Sequence, residues 1–154
     1  MPGPLKIALA GLSDREAITD ALFRCVNAFD NADDALLESS FTKDGKFTMA
    51  GNTTQGLDVI KEAVYNRVSK MDTTHLVTNI RIDVEDGATT ATGSATAVAY
   101  HYRPGTGCEP GAPRFVSGSQ YYMDFVKLES GLWKACEWEL KLIWTEGDYS
   151  VMMG

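Results

Sequence analysis

An α+β fold is predicted by three features of this sequence. Helical periodicity is confined to the part before Ser69, whereas everything from Ile80 onward is patterned as long strands. Helices followed by a run of antiparallel strands pack as a helical layer on one face of a sheet. Strands of this length must twist and curl, with bulges as the usual device, and a curled sheet closed by helices leaves a concave cavity.

The elements follow in order. Ser13-Asp14-Arg15-Glu16 is a capping box, in which Ser and Glu satisfy free amides at a helix start. Leu22, Cys25, Val26 and Phe29 then recur at helical spacing and form one apolar face. Asp30-Asn31 breaks that pattern, and a second short turn through Ala35, Leu36 and Leu37 ends near Ser39-Ser40. A strand is expected from Lys46 to Ala50, a turn at Gly51-Asn52, and an amphipathic helix from Asp58 to Ser69.

Ile80, Ile82 and Val84 alternate with polar residues up to an Asp86-Gly87 hairpin turn. Thr90 to Tyr102 is a long strand with one small phase, Ala91, Gly93, Ala95, Ala97 and Ala99, which leaves space for a ligand or for a bulky helix side chain. A Gly/Pro-rich loop, Pro104 to Pro113, leads to strands Arg114 to Leu128 and Leu132 to Trp144, joined at Ser130-Gly131. Residues 1–12 read as an N-terminal arm and 13–154 as a single domain.

Composition excludes several function classes. The net charge of −7 and the lack of any basic cluster argue against nucleic acid and anionic membranes as partners. No apolar run approaches the roughly 20 residues that span a bilayer. Cys25, Cys108 and Cys136 form no CxxC, and with only two histidines a zinc site is not expected. Free thiols fit a reduced, cytoplasmic setting. There is no P-loop, GxGxxG, HExxH or GxSxG, so the expected chemistry is acid–base work by side chains without metal or cofactor.

The two histidines, His75 and His101, are the first candidates for such work. His101 shares the phase of Ala97 and Ala99 and therefore whatever they line. His75 lies on the odd phase, whereas the strand that follows is apolar on the even phase. It faces the pocket only if a bulge near Thr78-Asn79 shifts the register. Asp30, just past the first apolar stripe, is either a turn residue or a partner for one of these rings. Trp138, Leu140, Leu142 and Trp144 form an apolar wall on one phase of the last strand, with Ser119, Tyr121 and Met123 on one phase of its neighbour. An apolar wall with a few convergent polar groups is the usual form of a small-molecule site.

These elements and motifs, taken in order, resemble the SnoaL-like branch of the nuclear-transport-factor-2-like (NTF2-like) superfamily, and within it the scytalone dehydratase group. Ala28-Phe29-Asp30-Asn31-Ala32-Asp33 is similar to the family's aromatic-Asp-x-x-Asp turn, and Thr74-His75-Leu76-Val77-Thr78-Asn79 to its Thr-His-x-x-x-Asn segment. Trp133, Trp144 and Glu146-Gly147-Asp148 resemble its closing strand and tail.

The resemblance implies a cone of curved, mixed or antiparallel sheet around a deep pocket. It also implies an Asp30–His75 dyad, a second histidine at His101, and pocket positions at Ala99, Ser119, Tyr121, Trp138, Leu140 and Leu142. Tyr149 and Met153 would be tail residues covering the pocket. The two tyrosines of scytalone dehydratase fall on Phe29 and Met49, which cannot donate hydrogen bonds, and Tyr121 stands where that enzyme has an Asn. The implied function is a cofactor-independent dehydratase, isomerase or cyclase acting on a polyketide or terpenoid, and a homo-oligomer, dimer or trimer, is implied as well. Since the superfamily also includes transport and scaffold proteins, a non-catalytic binding module is the competing reading.

Overall fold

The computed structural model describes residues 3–154. Residues 3–12 form an arm without regular secondary structure, and α1 (Asp14–Asn31) starts within the capping box, directly after its N-cap Ser13. The Glu16 amide donates to Ser13 Oγ at 3.2 Å and the Ser13 amide to Glu16 Oε2 at 2.7 Å. Leu22, Cys25 and Val26 are buried, and Phe29 packs against the same core. The helix ends because Ala32 adopts a left-handed conformation, after which Asp33 caps α2 (Asp34–Ser40) by accepting from the Leu36 amide at 3.0 Å.

A third helical stretch runs as α3 (Leu57–Ile60), a π-helical stretch Lys61–Tyr65, and α4 (Asn66–Val68). Lys61 ties it to α2 through Asp34 at 3.1 Å and Glu38 at 3.6 Å. The strands are β1 (Phe41–Met49), β2 (Asn52–Gln55), β3 (Asp72–Asp83), β4 (Thr90–Tyr102), β5 (Arg114–Lys127) and β6 (Trp133–Gly147). They form one six-stranded sheet in the order β2-β1-β6-β5-β4-β3, with β1 parallel to β6 and every other pair antiparallel. The chain closes with a 3₁₀ helix, Tyr149–Met153. Among the described residues no helix is long and apolar enough to cross a membrane.

β1 begins five residues before the strand expected from the sequence. Phe41 already pairs with Ala135, and a register shift before Lys46 hides the strand among polar Lys43 and Asp44. The sheet changes phase at three further places. On β3, Thr78 opposes Thr96 and Arg81 opposes Ser94, so Asn79 and Ile80 together face Ala95. Asn79 takes the left-handed conformation, φ 53°, that such an extra residue requires. His75 and Val77 before the bulge, and Ile80 and Ile82 after it, therefore all reach the inner face, although their parity differs.

On β6 the extra residues are Cys136 and Ile143. The first lets Trp133 and Ala135 share the inner face with Trp138 and Leu140. The second turns Trp144 outward, against the bare backbone of Gly118, where a Cβ would collide with its ring. Trp144 therefore leaves the apolar wall that simple alternation along β6 assigns it.

One buried charge holds the helices to the sheet. Arg24 is paired with Asp20 at 3.0 Å, and its guanidinium also donates to the Ser39 carbonyl, to Ser39 Oγ at 3.0 Å and to the Trp133 carbonyl at 2.6 Å. These bonds offset the cost of taking the charge out of water, and they join α1, α2 and β6. On the outer face Tyr122 is exposed, whereas Val116 is buried. Its short side chain lies between the longer Tyr100 and Glu146 that oppose it on either side.

The bulge on β3 gives a direct stability prediction. Asn79→Val places a β-branched residue in the left-handed region and should cost about 1–2 kcal/mol, whereas Asn79→Gly should be nearly neutral. Urea denaturation of both variants measures the difference.

Candidate functional site

The curled sheet and the helices enclose a cavity of about 650 Å³, within the range that holds a drug-sized ligand. His75, His101 and Tyr121 all contribute to its lining. A more open groove of about 1080 Å³ lies across the outer face, among Lys46, Arg81, Asp83, Asp124 and Glu137. Neither histidine lines that groove, so the enclosed cavity is the candidate site.

Asp30 sits in the last turn of α1, behind His75 rather than in the cavity wall. Its Oδ1 lies 2.6 Å from His75 Nδ1 and accepts from Thr73 Oγ1 at 2.8 Å, while its Oδ2 accepts from the His75 amide at 2.8 Å. Burial alone would raise the Asp30 carboxyl. The hydrogen bonds and charge of His75, with the Thr73 bond, outweigh burial and hold it below the usual carboxylate range. An ionised Asp30 accepts the Nδ1 proton, which leaves His75 Nε2 as the free basic nitrogen.

His101 is oriented by the backbone instead. It is buried, and its Nδ1 lies 3.1 Å from the Phe115 carbonyl oxygen, which can only accept, so Nδ1 carries the proton. Burial is the largest influence on its titration; it outweighs the Phe115 bond and pushes the ring below its ordinary value of 6.5, and the neighbouring His75 lowers it further. The two histidine rings meet edge to face with centroids 6.0 Å apart. A neutral His101 thus offers an acceptor, not a donor, at Nε2. Tyr121 is the complementary group: burial, chiefly, raises its phenol well above the ordinary range and keeps it a proton-bearing donor.

Of the positions expected to contact substrate, Phe29, Met49, Ala99 and Ser119 line the cavity. Trp138, Leu140, Leu142 and Tyr149 do so as well. Two do not. Met123 is buried in the core, because the inner face at that end of β5 is filled by helix α1 and leaves no open space. Met153 is 74% exposed, and the 3₁₀ turn places Met152 against the cavity in its stead.

The small phase of β4 divides in the same way. Ala91 and Ala95 belong to the packed core, and a side chain at Gly93 would collide with Ile82 and Phe125. Ala97 and Ala99 line the open cavity. The helical wall of Ile60, Val64, Arg67 and Val68 was not singled out from the sequence, although its helical spacing was visible there. Among the described residues no group of three or more His, Cys, Asp or Glu side chains comes together.

Comparison with known proteins places this geometry in context. Residues 10–139 match the model of the SnoaL-like domain family. "Terrestric acid biosynthesis cluster protein E" of Penicillium crustosum is 41% identical over 141 residues, 91% of this chain and 90% of that protein. A solved structure from Novosphingobium aromaticivorans, provisionally assigned as a scytalone dehydratase, superposes with a TM-score of 0.74 at 22% identity, covering 88% of each chain. An NTF2-like superfamily protein from Salmonella enterica superposes with a TM-score of 0.67 at 16% identity, covering 81% of this chain and 87% of the other. At these identities the two superpositions establish the shared fold.

The placement of His101 carries a pH signature. The native state gives up a proton that the unfolded chain still holds, so stability should fall as pH drops from about 6.5 toward the native-state midpoint. NMR titration should show His101 as the Nδ1–H tautomer with a midpoint below 6.5. His101→Phe should remove that part of the acid slope in denaturation curves.

Proposed function

The chain belongs to the SnoaL-like domain family, and from that premise and the site's geometry we propose a cofactor-independent lyase or isomerase of secondary metabolism. The substrate is a polycyclic polyketide or terpenoid, processed by dehydration, isomerisation or cyclisation. The observation that carries the reading is the 2.6 Å contact between Asp30 and His75 on the wall of an enclosed cavity. A module that only bound a ligand would have no need to orient and charge-stabilise an imidazole there. The likeness to a protein named for a biosynthetic cluster supports the metabolic setting.

In the dehydration, His75 Nε2 takes a proton from the carbon beside an electron-withdrawing group, and the C–H electron pair becomes an enolate or double bond. Asp30 holds the ring in the required tautomer and stabilises the imidazolium that forms. Tyr121 donates a hydrogen bond to the oxygen on which charge develops. His101 accepts a hydrogen bond from a substrate hydroxyl through Nε2 and so orients it. The C–O bond then breaks, the imidazolium returns its proton to the departing hydroxyl, and water leaves. If the same proton is returned to another carbon, the result is isomerisation. Phe29 and Met49 cannot position a water as paired tyrosines do, so scytalone itself is not the expected substrate.

The test uses hydroxylated polyketide and terpenoid carbonyl compounds in D₂O, followed by mass spectrometry. Loss of one water marks dehydration, whereas a product of unchanged composition, heavier only by any proton exchanged for deuterium at the base, marks isomerisation or cyclisation. His75→Ala and Asp30→Asn should each lower kcat by about 10²–10⁴-fold. Full turnover by either variant would overturn the dyad assignment.

A further inference from the structure

The three hydrogen bonds on Asp30 are not equivalent. The His75 amide donates to Oδ2 at 2.8 Å, whereas Oδ1 meets both His75 Nδ1 at 2.6 Å and the Thr73 hydroxyl at 2.8 Å. A carboxylate oxygen accepts through two lone pairs, so Thr73 fills the one that the imidazole leaves open. Of the two bonds on Oδ1, it is the one that does not depend on where the ring lies.

Strand geometry brings Thr73 to that oxygen. It precedes His75 by two residues on β3, so both side chains share the inner face, about 7 Å apart along the strand. Across the ladder Thr73 opposes His101 and His75 opposes Ala99. Both histidines line the cavity, but Thr73 and Asp30 do not. Strand propensity alone would account for a β-branched residue here, not for its hydroxyl. Val77, on the same phase two residues beyond His75, packs against the core without one. Elsewhere buried hydroxyls take a nearby carbonyl: Ser39 donates to Leu36 and Ser40 to Leu37. Thr73 instead gives its proton to the carboxylate oxygen that His75 uses.

We propose that Thr73 is a positioning residue for the dyad, fixing the Asp30 carboxylate against His75 without touching the substrate. The inference rests on the catalytic reading above. The His75 amide pins Oδ2, and a carboxylate pinned at one oxygen can still turn about that contact. Thr73 pins Oδ1 as well, through a branched side chain with few rotamers, so the oxygen that orients the ring stays in place through the proton transfer. A donor on Oδ1 also makes it a weaker base, in keeping with the depressed Asp30 carboxyl, so it remains an acceptor for the Nδ1 proton.

Two variants separate the hydroxyl from the shape. Thr73→Val keeps the branch and loses the hydroxyl, whereas Thr73→Ser keeps the hydroxyl. Losing a hydrogen bond to a charged group shifts an equilibrium by about 10-fold or more. The His75 Nδ1 proton, followed by NMR in the free protein, should therefore exchange with water about 10-fold faster in Thr73→Val and at the native rate in Thr73→Ser. The kinetic probe is 5-nitrobenzisoxazole, which reports a base in an apolar cavity. The base takes the ring C–H proton, the N–O bond breaks, and a coloured cyanophenolate forms. Thr73→Val should lower kcat for this ring opening about 10-fold with KM unchanged, and Thr73→Ser should restore it to within about 2-fold.

No protected Nδ1 proton in the native protein, an unchanged exchange rate in Thr73→Val, or equal impairment of the two variants would each overturn the proposal. So would a raised KM with kcat intact, which marks a binding role. Ring opening at the native rate in His75→Ala would instead remove the base assignment, and the exchange rates would still decide whether Thr73 holds Asp30.

Discussion

Strict alternation of side chains along a strand is the constraint on which the rest of this molecule depends. A long strand shows one set of residues to the interior and the other to solvent, and only an inserted residue exchanges the two sets. On β3 the catalytic candidate His75 and the core residues Ile80 and Ile82 stand on opposite parities, yet all must reach the inside. Asn79 resolves that conflict by taking the left-handed conformation opposite Ala95. On β6, Cys136 and Ile143 do the same at two further points. Each bulge also bends its strand, so the devices that set the phase contribute to the curl that makes a cavity.

A second constraint is that polar groups taken from water must find partners. The site meets it almost entirely with fixed donors and acceptors. Asp30 accepts three hydrogen bonds, all from β3, so the end of α1 is fastened to the strand that carries the histidine. His101 is fastened to the Phe115 carbonyl on the adjacent strand. The partners differ in charge, and that difference separates the two rings. A carboxylate lies behind His75, whereas a dry wall with a single carbonyl partner leaves His101 neutral. Two identical side chains on neighbouring strands are thereby held by chemically different partners.

The cavity itself follows from unequal filling. Toward the α1 start, Trp133, Phe125 and Met123 occupy the interior and α1 closes over them. Asp14 marks that end by accepting from Trp133 Nε1 at 3.0 Å and Lys127 at 3.1 Å. Toward the other end β1 stops at Met49 while β6 continues to Gly147, and the helical stretch after Gly56 reaches across. The wall there is made of short residues, Ala97 and Ala99, and of partly exposed ones such as Leu142. The same strand is therefore core at one end and binding surface at the other.

Much of this was legible in the residues. The capping box, the stripe from Leu22 to Phe29, the β4 limits and the need for a bulge near Thr78-Asn79 all follow from local pattern, because capping and alternation are properties of neighbours in sequence. The family motif around Asp30 and His75 was legible in the same sense. What local pattern could not supply were facts about opposing strands. Met123 and Met153 carry the same apolar side chain as Met49 and Met152, and only packing decides which pair meets the cavity. Trp144 turns outward because of an extra residue at Ile143, which alternation within β6 does not announce. The contact between Asp30 and His75 joins residues 45 positions apart, and the short distance that gives the pair its chemistry exists only once α1 has docked on β3.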